Sequence, residues 1–104
     1  MSSKALYMEG LQFLASGALD EAIAVFGNAL VEDEQFFLAH LGLATALDRQ
    51  GKVDEAIVHV RKAIAISPGE ALTHTSLSRL LQQKGLIEEA EEEMAISLQL
   101  QGES

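Results

Sequence analysis

Three imidazoles, His40, His59 and His74, are the side chains of this sequence that could exchange a proton near neutral pH or hold a transition metal. Nothing in their spacing completes a reaction centre. There is no His-x3-His pair, no nearby third ligand, and no Ser, His and Asp arrangement that would activate a nucleophile. Cysteine is absent, which removes disulfides, thiol catalysis and thiolate metal sites. The glycines form no phosphate-cradling loop. The sequence therefore predicts no enzyme, no catalytic residue, no metal and no cofactor.

Charge narrows the partners. Sixteen acids against seven bases give a net charge of −9. A nucleic-acid binder needs Lys and Arg to neutralise phosphates, so DNA and RNA are not expected, and an anionic membrane surface is equally disfavoured. The same charge favours solubility and fast encounter with basic partners. The densest acidic run, Glu88, Glu89, Glu91, Glu92 and Glu93, reads as a solvated helix face, with docking of a basic partner as the alternative. The most apolar stretch, 36–47, is too short to span a bilayer and contains His40 and Thr45. Glu9 interrupts the apolar residues after Lys4, so a cleaved signal is not expected. The lack of cysteine does not fix the compartment; a cytoplasmic location is the expectation.

The elements that must position these residues follow from an internal repeat. Gly17, Gly51 and Gly85 stand 34 residues apart, and each opens a similar segment: Gly-Ala-Leu-Asp-Glu-Ala-Ile, Gly-Lys-Val-Asp-Glu-Ala-Ile and Gly-Leu-Ile-Glu-Glu-Ala-Glu. Other positions keep phase, among them Phe13/Leu47/Leu81, Ala22/Ala56/Ala90, Phe26/Val60/Met94 and Leu30/Ile64/Leu98. Composition favours helix, since Ala, Leu, Glu and Gln dominate and Pro occurs once. Each unit reads as a helical hairpin. An amphipathic stretch of about 13 residues ends at the glycine, which tolerates a left-handed backbone. An acid pair then opens the second helix, satisfying free amides and suiting the dipole. Pro68 ends the second hairpin. Three units, about 3–36, 37–70 and 71–104, fill a single domain. His40 and His74 fall at equivalent positions, about 9–10 Å apart if the hairpins stack. That is too far to share a zinc ion bound at about 2 Å, so both read as structural. His59 is expected in solvent.

The pattern resembles the tetratricopeptide repeat family. Repeat 2 carries it through Leu43, Ala44, Leu47, Gly51, Ala56, Val60, Ala63 and Pro68; repeat 1 through Gly10, Phe13, Gly17, Ala22, Phe26 and Ala29; repeat 3 through Leu77, Ser78, Leu81, Gly85, Ala90 and Met94. His40 and His74 stand where the family often has Trp, and repeats 1 and 3 lack the Pro. The resemblance implies an all-α, right-handed solenoid of three helix-turn-helix repeats, six helices in all. It also implies that the first helix of each hairpin lines a concave, protein-binding groove.

Mapped onto this sequence, that groove takes Lys4, Tyr7, Leu11 and Leu14 from repeat 1. Repeat 2 supplies Leu38, Leu41, Gly42, Thr45, Asp48 and Arg49, and repeat 3 supplies Leu72, Thr75, Ser76, Arg79, Gln82 and Gln83. An exposed apolar patch of Tyr7, Leu11, Leu38, Leu41 and Leu72 would mark an interaction site, with Tyr7 as its anchor. The Lys/Asn/Arg clamp with which some relatives hold acidic peptide ends is replaced by Tyr7, Leu11, Gly42, Leu72 and Ser76. An apolar or basic segment of another protein is therefore the expected ligand. Glu91 replaces Ile23 and Ile57 at a position facing the next repeat, as a terminal repeat needs, yet Met94 and Leu98 stay apolar. The alternative role is thus a self-associating module, a homodimer through the uncapped third repeat.

Overall fold

The computed structural model describes residues 2–103. They form α1 (Ser3–Ala15), α2 (Leu19–Glu32), α3 (Phe37–Arg49), α4 (Val53–Ile66), α5 (Ala71–Gln83) and α6 (Ile87–Gly102), with no strand among them. Each helix packs on its neighbours in sequence, and α1 also meets α3. Three hairpins thus stack into an α-solenoid of 38 × 29 × 19 Å. Among the described residues no helix is long and apolar enough to cross a membrane.

The hairpin turns obey their glycines. Gly17, Gly51 and Gly85 have φ of 80°, 83° and 81°, the left-handed region that costs other residues their Cβ clearance. Around each glycine the same paired bonds close the helix: Ala18 N to Phe13 O at 2.9 Å and Gly17 N to Leu14 O at 3.1 Å, with equivalents around Gly51 and Gly85.

The acid pairs keep the dipole role expected of them but not the capping one. The N-cap positions are Ala18, Lys52 and Leu86, and none makes a side-chain capping bond. The carboxylates sit inside the first turn, where they face the positive end of the dipole, and two of them reach across to the next repeat. Gln50 Nε2 donates to Asp20 Oδ1 at 2.7 Å, and Lys84 Nζ pairs with Asp54. These links are 34 residues apart, each tying the start of a second helix to the end of the following first helix.

Packing is tuned by the size of repeat-related residues. Phe26 is fully buried between Gly10 and Gly42. A Cβ on Gly10 would lie 2.5 Å from the Phe26 ring, and one on Gly42 2.6 Å from it. In repeat 2 the equivalent of Phe26 is the smaller Val60, and the equivalent of Gly10 grows to Ala44. Val60 and Ala44 join Leu41, Leu47, Leu77 and Leu81 in the central core. Repeat 3 is built differently, with hydroxyls in its interior. Ser78 Oγ donates to Ala90 O at 2.7 Å, Ser97 Oγ donates to Ala71 O at 3.1 Å, and Thr75 Oγ1 lies 2.6 Å from Ser97 Oγ. These replace Ala44, Ala63 and Leu41 of repeat 2.

Candidate functional site

The odd-numbered helices α1, α3 and α5 share one wall of the solenoid, and a concavity of about 270 Å³ opens on it. Its lining comes from all three repeats: Tyr7, Leu11 and Leu14 from α1, Leu38, Leu41, Gly42 and Thr45 from α3, and Leu72, Ser76 and Arg79 from α5. Stacking brings them together because equivalent positions of successive repeats fall on one face. Arg79 is the only charged side chain among the described residues lining it.

The groove residues do not all stand as expected. Leu41 is only 8% exposed and belongs to the central core with Val60 and Leu77. It was expected in an exposed patch, but α3 is the middle helix and is covered on both sides, so Leu41 becomes the floor of the concavity. Leu11 and Leu38 are half-buried, while Leu72 is 60% exposed and forms an apolar lip. Tyr7 is less free than an anchor would be. Its ring meets Phe36 edge-on at 5.3 Å and lies 5.9 Å from that of Phe26, and burial raises its phenol pKa. It therefore acts as a wall. Gly42 is a seat for Phe26 as well as part of the lining.

The polar members are mostly engaged within the protein. Thr45 Oγ1 donates to Leu41 O at 3.0 Å. Arg79 Nη2 lies 3.8 Å from Asp48 Oδ2, joining α5 to α3 at the rim. Arg49 Nη1 donates to Leu14 O at 3.0 Å, joining α3 to α1. Lys4 and Gln82 are exposed and outside the concavity. At the far end, Met94 is half-buried, Leu98 is 60% exposed, and Glu91 faces solvent.

The histidines bring a correction. His59 was expected in solvent; it is half-buried, and its Nδ1 lies 3.1 Å from Nδ1 of His40. Burial lowers both pKa values; for His40 the His59 and Lys62 charges lower it further, against a hydrogen bond to the Glu34 backbone. For His59 the Lys62 charge adds to burial and Glu55 opposes it. His74, one repeat on, holds Glu93 Oε1 at 2.9 Å on Nδ1 and Pro68 O at 3.1 Å on Nε2. The sequence contained a signal for these pairs: His40–His59 and His74–Glu93 have the same separation of 19 residues.

Comparison with known proteins agrees with this architecture. Residues 7–71 match the tetratricopeptide repeat family. The structure of MamA superposes with a TM-score of 0.93 at 25% identity, over 98% of this chain and 60% of that one, so the chain spans about three-fifths of its length. The Yersinia enterocolitica type III secretion chaperone SycD, solved with a peptide of the translocator YopD, superposes at 0.89 with 26% identity, over 93% of this chain and 74% of that one. The second TPR of Spaghetti (RPAP3), bound to the HSP90 peptide SRMEEVD, shares the fold at a TM-score of 0.91 and 19% identity, over 96% and 93% of the two chains. No curated protein matches the sequence.

Proposed function

The chain belongs to the tetratricopeptide repeat family, and from that premise we propose that it is a protein-interaction adaptor whose ligand is a peptide or helix lying in the concave groove. The observation that carries this reading is the concavity itself, with Leu11, Leu38 and Leu72 around it and Leu41 beneath. A ligand side chain entering it displaces water from apolar surface. The peptide complex of SycD supports the reading by similarity. Arg79, 3.8 Å from Asp48 at the rim, is the one cation among the described residues lining the groove, too few for a clamp on an acidic peptide end. An apolar segment, with basic residues attracted by the net charge of −9, suits it better.

The test is binding by the double variant Leu11→Glu/Leu38→Glu. Both residues are half-buried and also pack against the core, so circular dichroism first selects a folded variant, in which capture of the partner should be lost. Full binding by the folded variant would exclude the groove.

A second reading rests on Leu98, which lies 60% exposed where its equivalents Leu30 and Ile64 are partly covered. Self-association through Met94 and Leu98 makes the protein a homodimer. Light scattering over a wide concentration range tests it: a dimer that Met94→Glu/Leu98→Glu dissolves supports the reading, and a concentration-independent monomer removes it.

A further inference from the structure

The outer wall of the solenoid, built by α2, α4 and α6, carries two hollows at equivalent places. The first opens between α2 and α4 and measures about 270 Å³. Its floor is Leu43 and Leu47 of α3, both buried, and Ile23, Glu55, Val58 and His59 surround it. The second, of about 320 Å³, is lined by Leu81 of α5, Arg61 of α4, and Glu89, Glu92 and Glu93 of α6. Leu47, Glu55, Val58 and His59 of the first become Leu81, Glu89, Glu92 and Glu93 in the second, one repeat of 34 residues on. The same hollow is thus mainly apolar in one place and acidic in the next. None of these residues lines the concave groove.

The two hollows suit different groups. Val58 stands 50% exposed at the lip of the first, and His59 is held there by its hydrogen bond to His40. An apolar side chain entering it displaces water from Leu43, Leu47 and Val58. In the second hollow Glu93 is engaged by His74. Glu89 and Glu92 are exposed and in no ion pair among the described residues. Arg61 is the one cation lining that hollow, against three carboxylates, and α6 contains no Lys or Arg at all. The complementary group is therefore a cation. One stacked repeat, about 9–10 Å, separates the hollows. Positions i and i+7 on one face of a helix stand about 10.5 Å apart. An extended chain places its same-face side chains about 7 or 13 Å apart, a poorer match.

We propose that this outer wall is a second docking surface, for a basic amphipathic helix of another protein. The helix crosses α4, seats an apolar side chain over Leu43 and Leu47, and places a Lys or Arg about two turns away between Glu89 and Glu92. A second copy of this chain suits the wall less well, because its net charge of −9 repels its like. The surface shares no lining residue with the concave groove, so the two walls can hold different partners at the same time.

The experiment uses a fluorescein-labelled synthetic helix that carries Leu and Lys about seven positions apart, and a twin with Glu in place of the Lys. Fluorescence anisotropy of the full chain at low salt should show binding of the first and none of the second. Val58→Glu should weaken binding by at least about tenfold, since it sets a charge in the apolar hollow. Glu89→Lys/Glu92→Lys should weaken it by about fivefold or more, the range of exposed ion pairs, and remove its dependence on salt. Methyl spectra of the unmutated chain decide between the walls even if a variant fails to fold. The Lys helix should shift the methyl signals of Ile23 and Val58 and leave those of Leu72 in place. No binding, equal binding of the Glu twin, or shifts centred on Leu72 would overturn the proposal. So would a dimer of the chain alone, seen by light scattering, that Val58→Glu dissolves.

Discussion

At the scale of single residues, two glycine substitutions separate two physical causes. Gly51 has positive φ and open space around it. Gly51→Ala therefore costs only the left-handed conformation, about 1–2 kcal/mol. Gly42 lies inside a helix against the Phe26 ring, so Gly42→Ala overpacks the core, costing about 1–3 kcal/mol. Each kcal/mol lowers Tm by about 4–8 °C in a domain of this size. The distinguishing measurement is rescue: Phe26→Val should recover part of the Gly42→Ala loss, in a non-additive cycle, and none of the Gly51→Ala loss. The histidine pair gives a pH dependence of its own. Burial holds both pKa values below 6.5, so the unfolded chain takes up protons first as pH falls. Stability is full above about pH 6.5 and is lost as pH drops through the folded values. Urea midpoints should fall across that window, and His40→Leu/His59→Val should flatten the fall.

At the scale of helices, the regular features were legible from the amino acids and the lateral ones were not. Gly17, Gly51 and Gly85 mark the turns because a local backbone requirement acts through a single residue type. Leu41 could not be read in the same way. Its repeat position suits a groove, but its burial depends on α3 lying between two other hairpins. His59 likewise looks like a surface residue until α3 supplies His40, and the acid pairs look like caps until Gln50 and Lys84 come within reach. Those cross-repeat links are exposed and worth little: Lys84→Ala should change stability by less than about 1 kcal/mol, measurable as a small shift in urea midpoint and suppressed by salt.

At the scale of the whole molecule, stacking makes the middle repeat the most covered. α3 buries residues along most of its length, from Ala39 to Leu47, whereas α1 buries only Gly10 and Leu14, and α6 only Ala90 and Ser97. Solenoid stability is a sum of repeat and neighbour contributions, so opening should begin at the ends. Amide hydrogen exchange should be slowest in α3 and α4 and fastest in α1 and α6; uniform protection would show a fully cooperative domain instead. The same stacking fixes where a ligand can lie, since the concavity exists only where three hairpins contribute side chains to one face.

The hydroxyls inside repeat 3 have a thermal consequence. Apolar burial loses driving force on cooling because its hydration carries a large heat capacity, whereas hydrogen-bonded polar burial carries one of opposite sign. Repeats 1 and 2 are held by Phe26, Leu47 and Val60, and repeat 3 in part by Ser78 and Ser97. Repeat 3 also buries Leu77, Leu80 and Leu81, so near freezing it should weaken as well, but less by the share that its hydroxyl bonds carry. The gradient of stability along the solenoid should therefore shift with temperature.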